Sequence, residues 1–452
     1  MPDWFIMLLP KLTTALFVFA VGACIGSLIN VLVYRLPLGL DVVRPTSRCP
    51  SCGTKLTWRE NIPIFGWIML RGRCRFCRCK ISPEYPIVEF FTAAVFCLFY
   101  VLWYMVNPGD TWLGIPWGSA APEWALNSPA YTWPIFVVLL TLIGCLIAMT
   151  IVDAKTFTIP LVLAWVPAIV AVVVLPAHAA WFEYRLGPLT ELSPGQWGGE
   201  SGRRVWQSAT EWLWAIPTPN PSQLGMIGVA LGGTAGLGLS MLLLRFGLIR
   251  RSFADYEEWE KAELARLEPE RDQQAAEEAV QGPAQPHESE LWIQYPHARR
   301  EMLKEVAFLG GPAGGAWLGA WAAGQWFTGE APLWLTVLSG VLLGYLIGGA
   351  VVWGVRILGS LAFGKEAMGL GDVHLMAAVG ACIGWIDPVI AFFLAAFLGT
   401  GWEFARRILG GTLNKALPYG PHLAAATVLV VLCKPLVEMG LSRMLGMPID
   451  LP

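Results

Sequence analysis

A chain of 452 residues in which 55% are hydrophobic and only 14% charged is too apolar for a soluble globular domain. A mean hydropathy of +0.55 agrees, and the composition reads as an all-α polytopic membrane protein. The formal net charge of −2 is silent about partners, because in a membrane protein the placement of Lys and Arg among the loops carries the information; no nucleic-acid partner is expected.

In chain order, residues 12–34 form the first span, long enough for a hydrocarbon core that needs about 20 apolar residues. It lacks a small-residue cleavage site and is followed by Arg35, so it reads as a retained span closing a unit 1–34 rather than as a cleaved signal peptide. A polar segment, 35–86, separates it from the second span at 87–106. Spans at 135–152 and 159–175 complete a unit 87–175. The Gly/Pro/Trp-rich residues 176–222 read as an extracytoplasmic loop. An extra unit, 223–332, holds a span at 223–245, an acidic Gln/Ala-rich cytoplasmic insertion at 252–304 and a Gly-rich run at 306–327. Within the insertion, Asp255-Tyr256-Glu257-Glu258-Trp259-Glu260-Lys261 looks like the start of an exposed helix, and the whole reads as a solvated linker, with a docking surface for a partner the minority reading. The last unit, 333–452, holds apolar runs at 333–355, 373–384, 388–404 and 422–436. The total is about ten runs, or 8–10 transmembrane helices, with 373–384 and 306–327 the weakest.

Orientation follows from an asymmetry: residues 35–86 hold ten Lys and Arg, and residues 107–134 hold none. Placing the first of these in the cytoplasm and alternating the spans puts Lys155, the insertion, the turn at Asp372 and Arg406/Arg407 on that same side. The loop 176–222, with Arg185, Arg203 and Arg204, is the exception, and it is long enough to translocate despite its charge.

Two acids then stand at cytoplasmic ends of apolar runs. Asp153 closes 135–152, and Asp372, in Gly369-Leu370-Gly371-Asp372, opens 373–384. A carboxylate at a membrane edge is costly without a partner or a task. Two of them on one face, from separate helices, point to an aspartyl hydrolase, in which one carboxylate deprotonates water and the other protonates the carbonyl oxygen or leaving amine while the pair shares one proton. Gly369 and Gly371 are expected to permit a tight turn and a close approach of substrate backbone. Taken singly, Asp372 reads as a helix N-cap, Asp153 as a boundary residue paired with Lys155, and Asp387, on the opposite side, as a cap. Helix polarity assigns the charge and the general-base role to Asp372 and the shared proton to Asp153, with His374 supporting and Lys155 opposing.

The segment 35–86 carries Cys49-Pro50-Ser51-Cys52 and Cys74-Arg75-Phe76-Cys77. Two CxxC pairs separated by 21 residues suit a tetrahedral, structural zinc site that cross-links a segment too small for its own core. In a cytoplasmic segment disulfides are the weaker reading. Cys79 is ranked a bystander that stands close enough to substitute as a ligand. Cys24, Cys97, Cys145, Cys382 and Cys433 read as small buried side chains in apolar runs.

Together with Gly26-Ser27-Leu28-Ile29-Asn30, Asn61-Ile62-Pro63, Glu84-Tyr85-Pro86-Ile87-Val88-Glu89, Ile159-Pro160, Glu366-Ala367-Met368, Gly380-Ala381-Cys382-Ile383-Gly384-Trp385 and Pro418-Tyr419-Gly420-Pro421, these motifs occur in an order that resembles the type IV prepilin leader peptidases, the bacterial GxGD aspartyl proteases. The resemblance covers roughly 21–175 and 333–423. It implies a bacterial inner-membrane enzyme whose active site faces the cytoplasm. It also implies cleavage of the leaders of prepilins and pseudopilins of pilus and type II secretion systems, followed by N-methylation from S-adenosylmethionine, since members with the cysteine segment are bifunctional. It raises Glu89 from a membrane-edge charge to a residue near substrate or methyl donor, whereas buried Asn30 serves packing or substrate equally.

Two departures stand out. His374 occupies a position where the family often has Lys, and residues 176–327 replace a usually compact region. The competing classes are a proton-coupled transporter using Asp153 and Asp372, whose carboxylates would be expected at mid-membrane, and a non-catalytic assembly factor, which would be expected to lack one aspartate. No HExxH or GxSxG motif points to another protease class.

Overall fold

The computed structural model describes residues 3–44, 46–49, 51–107, 109–122, 125, 129–186, 223–256, 258–259, 261–263, 265–266, 295–326, 331–409, 418–449 and 451. Most of the expected extracytoplasmic loop and the middle of the acidic insertion lie outside these residues. Among the described residues the chain is helical, with isolated β-bridges in place of strands. The helices are α1 (Asp3–Arg35), α2 (Phe65–Met69), α3 (Glu84–Tyr104), α4 (Pro129–Thr156), α5 (Leu161–Leu186), α6 (Gln223–Arg245), α7 (Ala298–Trp326), α8 (Leu333–Phe363), α9 (Leu370–Ile383), α10 (Ile386–Ile408), α11 (Gly420–Leu432) and α12 (Lys434–Leu445).

Seven of these are long and apolar enough to cross a membrane, and the bent pair α11–α12 makes up to eight, the low end of the expected range. The difference lies in three runs. The last expected span breaks at Cys433, where Pro435 in the first turn of α12 cannot continue the hydrogen-bond ladder, and the axes bend by 91°. The Gly-rich run belongs to α7, whose composition is too small and polar to register as a span. The run 373–384 is α9, only 14 residues long. It need not reach across a bilayer, because α4, α5, α8, α10 and α11 surround it and bury almost every residue from Asp372 to Cys382. At the other expected boundary, α5 continues to Leu186, so residues 176–186 are helix rather than loop.

Small residues decide which helices touch. A Cβ on Gly344 would lie 2.0 Å from the Gly380 carbonyl oxygen and one on Gly348 2.4 Å from that of Met376, so α8 and α9 meet backbone to backbone. Gly22 and Gly26 of α1 do the same against Ala93 and Glu89 of α3. The longest such seam joins α6 to α7, with Gly228, Gly232 and Gly236 facing Gly319, Gly315 and Gly311, and the Ser240 hydroxyl continuing it by donating to the Phe308 carbonyl at 2.6 Å. The Gly-rich run is thus the contact face of an accessory helix pair that leans on α8.

The insertion is not wholly a solvated linker. Phe253, Tyr256, Tyr295, Ala298 and Met302 form a second small core with Trp259 and Ile357 against it. The helix start at 255–261 therefore buries an aromatic face instead of standing free.

Candidate active site

Asp153 lies inside the last turn of α4, which runs on to Thr156, and Phe157 ends the helix with φ 53° and an N–H donated to the Asp153 carbonyl at 2.9 Å. Asp372 lies in the first turn of α9, three residues past the N-cap, Gly369, so it is not itself the cap. Their side chains are buried, at 6% and 8% exposure, and the two carboxylates are within electrostatic range of each other. One residue joins them sterically. A Cβ on Gly371 would lie 2.9 Å from the Cβ of Ile159, and a Cβ on Gly420 would lie 3.2 Å from the Cδ1 of Ile159 and 2.6 Å from the Asp153 Oδ2. Ile159, Gly371, Gly420 and the two acids therefore form one compact wall.

The expected reason for the glycines changes accordingly. Gly369 has φ −69° and ψ 146°, an ordinary extended conformation. Gly371 is required by its closeness to Ile159 rather than by a special turn.

Backbone donors differ from what helix polarity alone implied. Asp153 stands at the C-terminal end of its own helix, where exposed carbonyls disfavour a negative charge, but its carboxylate meets the N-terminus of α11, where the Gly420 backbone hydrogen-bonds it. Asp372 is held in the same way by the backbone of Gly369. Both acids therefore face a positive helix end, and the polarity argument for splitting their roles cancels. Lys155 does not pair with Asp153; it forms an ion pair with Glu84 at the start of α3. His374 is half-buried two residues beyond Asp372. Two residues along a helix is a rotation of about 200°, so the two side chains leave opposite flanks and do not meet. Asp387, expected as a cap, is instead buried in range of Lys434 and Glu438.

The cysteine segment is built from two equivalent turns. Cys49 N–H donates to Thr54 and Gly53 N–H to Cys49; Cys74 N–H donates to Cys79 and Arg78 N–H to Cys74. The bridges Arg48 to Lys55 and Arg73 to Lys80 close them, and Gly53 and Arg78 take the matching left-handed conformation at φ 69° and 61°. By this correspondence Cys79 stands where Thr54 stands. The sulfurs of Cys49, Cys52, Cys74 and Cys77 lie within 4.8 Å of one another, with Cys49 and Cys77 at 3.8 Å. A tetrahedral ion with bonds of about 2.3 Å requires sulfurs roughly 3.8 Å apart, so the cluster fits zinc. Cys79 Sγ is 3.5 Å from Cys49 Sγ yet falls outside the mutual cluster. The Thr54 hydroxyl and backbone beside Cys52 lower its thiol to about 6, toward the thiolate that a metal takes. Of the five cysteines in apolar runs, Cys382 is buried as expected, whereas Cys24 lies on the exposed side of α1.

Glu89 is where this segment docks on the helices. Buried to 8% exposure, it accepts the Ile64 N–H at 2.6 Å, and Ile64 holds φ 63° just after Asn61-Ile62-Pro63. Asn30 anchors α1 to the same corner by donating to the Tyr85 carbonyl at 3.1 Å.

One functional candidate escaped the reading of the sequence. Arg356, one residue beyond the apolar run 333–355, is completely buried. It donates from Nε to Glu305 at 2.9 Å, and from Nη1 to Glu366 at 2.6 Å and to the Met368 carbonyl. A charge set into a long apolar helix is the signal that could have found it.

Two family models match the chain: the bacterial peptidase A24 N-terminal domain over residues 20–103 and the type IV leader peptidase family over residues 312–403. The first contains the four cysteines and Glu89, the second Asp372, while Asp153 lies in the stretch between. Among similar proteins, a prepilin leader peptidase/N-methyltransferase of Myxococcus xanthus (strain DK1622) is 51% identical over 82 residues, 18% of this chain and 24% of that one. A protein of the same name from Klebsiella pneumoniae is 41% identical over 104 residues, 22% of this chain and 44% of that one. A type 4 prepilin-like proteins leader peptide-processing enzyme of Escherichia coli O78:H11 (strain H10407 / ETEC) is 38% identical over 151 residues, 24% of this chain and 56% of that one. The chain thus spans from about a quarter to somewhat over half of the length of these relatives. No solved structure matches.

Proposed function

We propose that the chain is a member of the type IV leader peptidase family, a membrane aspartyl endopeptidase that removes the leaders of type IV prepilins or pseudopilins at the cytoplasmic face of a bacterial inner membrane and methylates the new N-terminus. The observation that carries this reading is the meeting of Asp153 and Asp372 from two helices far apart in the chain, both buried and both backed by backbone donors at helix N-termini.

In the proposed reaction the two carboxylates share one proton. The ionised member takes a proton from water as it attacks the scissile carbonyl, while the protonated member gives its own to the carbonyl oxygen; as the tetrahedral adduct collapses, the first passes the water proton to the leaving amine and the second takes back the hydroxyl proton, which restores the shared-proton pair. Burial raises the value of this arrangement, because like charges held close in a weakly polar site cannot both ionise. Zinc at Cys49, Cys52, Cys74 and Cys77 would hold the two cysteine turns together and so keep segment 35–86 on α1 and α3 through Glu89 and Asn30. S-adenosylmethionine would supply the methyl group. A cleft between α1 and this segment, lined by Arg35, Lys55, Trp58 and Asn61, offers cations for its carboxylate and a ring for its base.

The test is incubation of the purified full chain with a prepilin, with and without S-adenosylmethionine, followed by product mass. Loss of the leader, with a further gain of one methyl group when the donor is present, is expected. Asp153→Asn and Asp372→Asn should each abolish cleavage in a folded, inserted protein, and substantial cleavage by either would remove that residue from the dyad. Carboxyl-sensitive infrared spectra of the same two variants would identify the carboxyl that holds the shared proton.

A further inference from the structure

The loop 364–369, between α8 and α9, delivers Asp372 to the site, and it is braced in part from outside the matched family regions. Arg356 of α8 is the hub. Its guanidinium is 0% exposed, binds Glu366 and the Met368 carbonyl on the loop, and binds Glu305 on α7. Glu305 is itself held by two further donors, since Ser252 and Trp353 each donate to its carboxylate at 2.8 Å. The Phe253 ring packs beneath the guanidinium at 5.4 Å, and the Phe253 N–H is fixed by Glu301 at 2.8 Å. A second strut lies alongside, where the Tyr295 N–H donates to the Gly364 carbonyl at 2.8 Å. Apart from Trp353, which belongs to α8 itself, these outside contacts come from α7 or from the flanks of the insertion, the part of the chain to which the sequence attached no role.

We propose that Arg356 is a positioning residue for Asp372, and that the accessory helix α7, with the flanks of the insertion, serves as the brace that holds loop 364–369 in its working geometry. A buried guanidinium set among two carboxylates and a carbonyl has a single low-energy arrangement, because any loosening leaves a charge unpaired away from water. It therefore transmits the placement of α7 to the loop with little slack. The same guanidinium lies within electrostatic range of Asp372, which puts it close enough for its displacement to be felt at the dyad. The catalytic half of the proposal rests on the peptidase reading above; the structural half does not.

The experiment uses the full chain in lipid nanodiscs, wild type against Arg356→Met, Arg356→Lys and Glu305→Gln, with prepilin cleavage kinetics and hydrogen exchange of the peptide covering 364–372. The expected result is a kcat lowered at least tenfold in Arg356→Met and Glu305→Gln with KM within threefold. Exchange should accelerate in the loop peptide but not across α8 or α9. Arg356→Lys, which keeps the charge but reaches fewer acceptors, should fall between. Loop exchange equal to wild type in Glu305→Gln, or acceleration spread evenly over the bundle, overturns the proposal. If Arg356→Met does not fold, the isosteric Glu305→Gln carries the test alone. If the wild type fails to cleave any prepilin, the peptidase reading falls, and loop exchange still decides the brace.

Discussion

Replacing Gly420 with alanine isolates the role of close packing around Asp153. The residue is the first of α11 and its backbone is ordinary helix, so the methyl group meets no conformational penalty and would by propensity be slightly favourable. What it meets is the carboxylate: the new Cβ would lie 2.6 Å from Oδ2 and 3.2 Å from Cγ of Asp153, where ordinary contact begins at 3.4 Å. The oxygen must withdraw by about 0.8 Å, or α11 must retreat and loosen its hydrogen bond to the acid. Overpacking of this kind costs about 1–3 kcal/mol, partly offset by the helix propensity of alanine, so the fold should survive with a modestly lower Tm. Catalysis is less forgiving, because a misplacement of about 1 Å in reacting groups can cost roughly 100-fold. Leader cleavage by Gly420→Ala should therefore show kcat reduced on the order of 10- to 100-fold with KM nearly unchanged. Adding Ile159→Val removes the Cδ1 atom that the same Cβ would meet at 3.2 Å, and should recover part of the loss. A Gly420→Ala enzyme within threefold of wild-type kcat would refute the argument that Asp153 is held against this backbone.

Two further outcomes follow from the packing. Metal analysis of the purified protein should find zinc lost from Cys77→Ser and retained by Cys79→Ser, since Cys79 occupies the place that Thr54 holds in the other turn; the reverse pattern would make Cys79 the fourth ligand. Gly232→Ala would put a Cβ 2.1 Å from the Gly315 carbonyl oxygen, a contact that only separation of α6 and α7 can relieve, so thermal unfolding in detergent should show a loss of about 1–3 kcal/mol, and an unchanged Tm would mean the seam is not as close as described.

What the sequence by itself determined was local or one-dimensional. Hydropathy marked most of the spans because the bilayer imposes a length on any apolar helix. The CxxC spacing was sufficient to pick four cysteines whose sulfurs cluster, because both pairs lie within single turns of chain. The Lys/Arg asymmetry and the ends of two apolar runs were enough to pick Asp153 and Asp372 as partners. Tertiary structure decided what depends on contact between distant segments. Lys155 was free in sequence to serve Asp153 and in space serves Glu84. The dipole of α4 argued against charge on Asp153 until the start of α11, more than two hundred residues later, supplied the opposing helix end. Arg356 drew no reading just past the run 333–355 because Glu305 lies 51 residues away in the chain, and the insertion looked like solvated linker because Phe253 and Tyr256 pack against Ile357 of α8, far from them in sequence. A glycine run too weakly apolar to register as a span is a helix seam for the same reason: its value lies in how near another backbone comes, which no single helix contains.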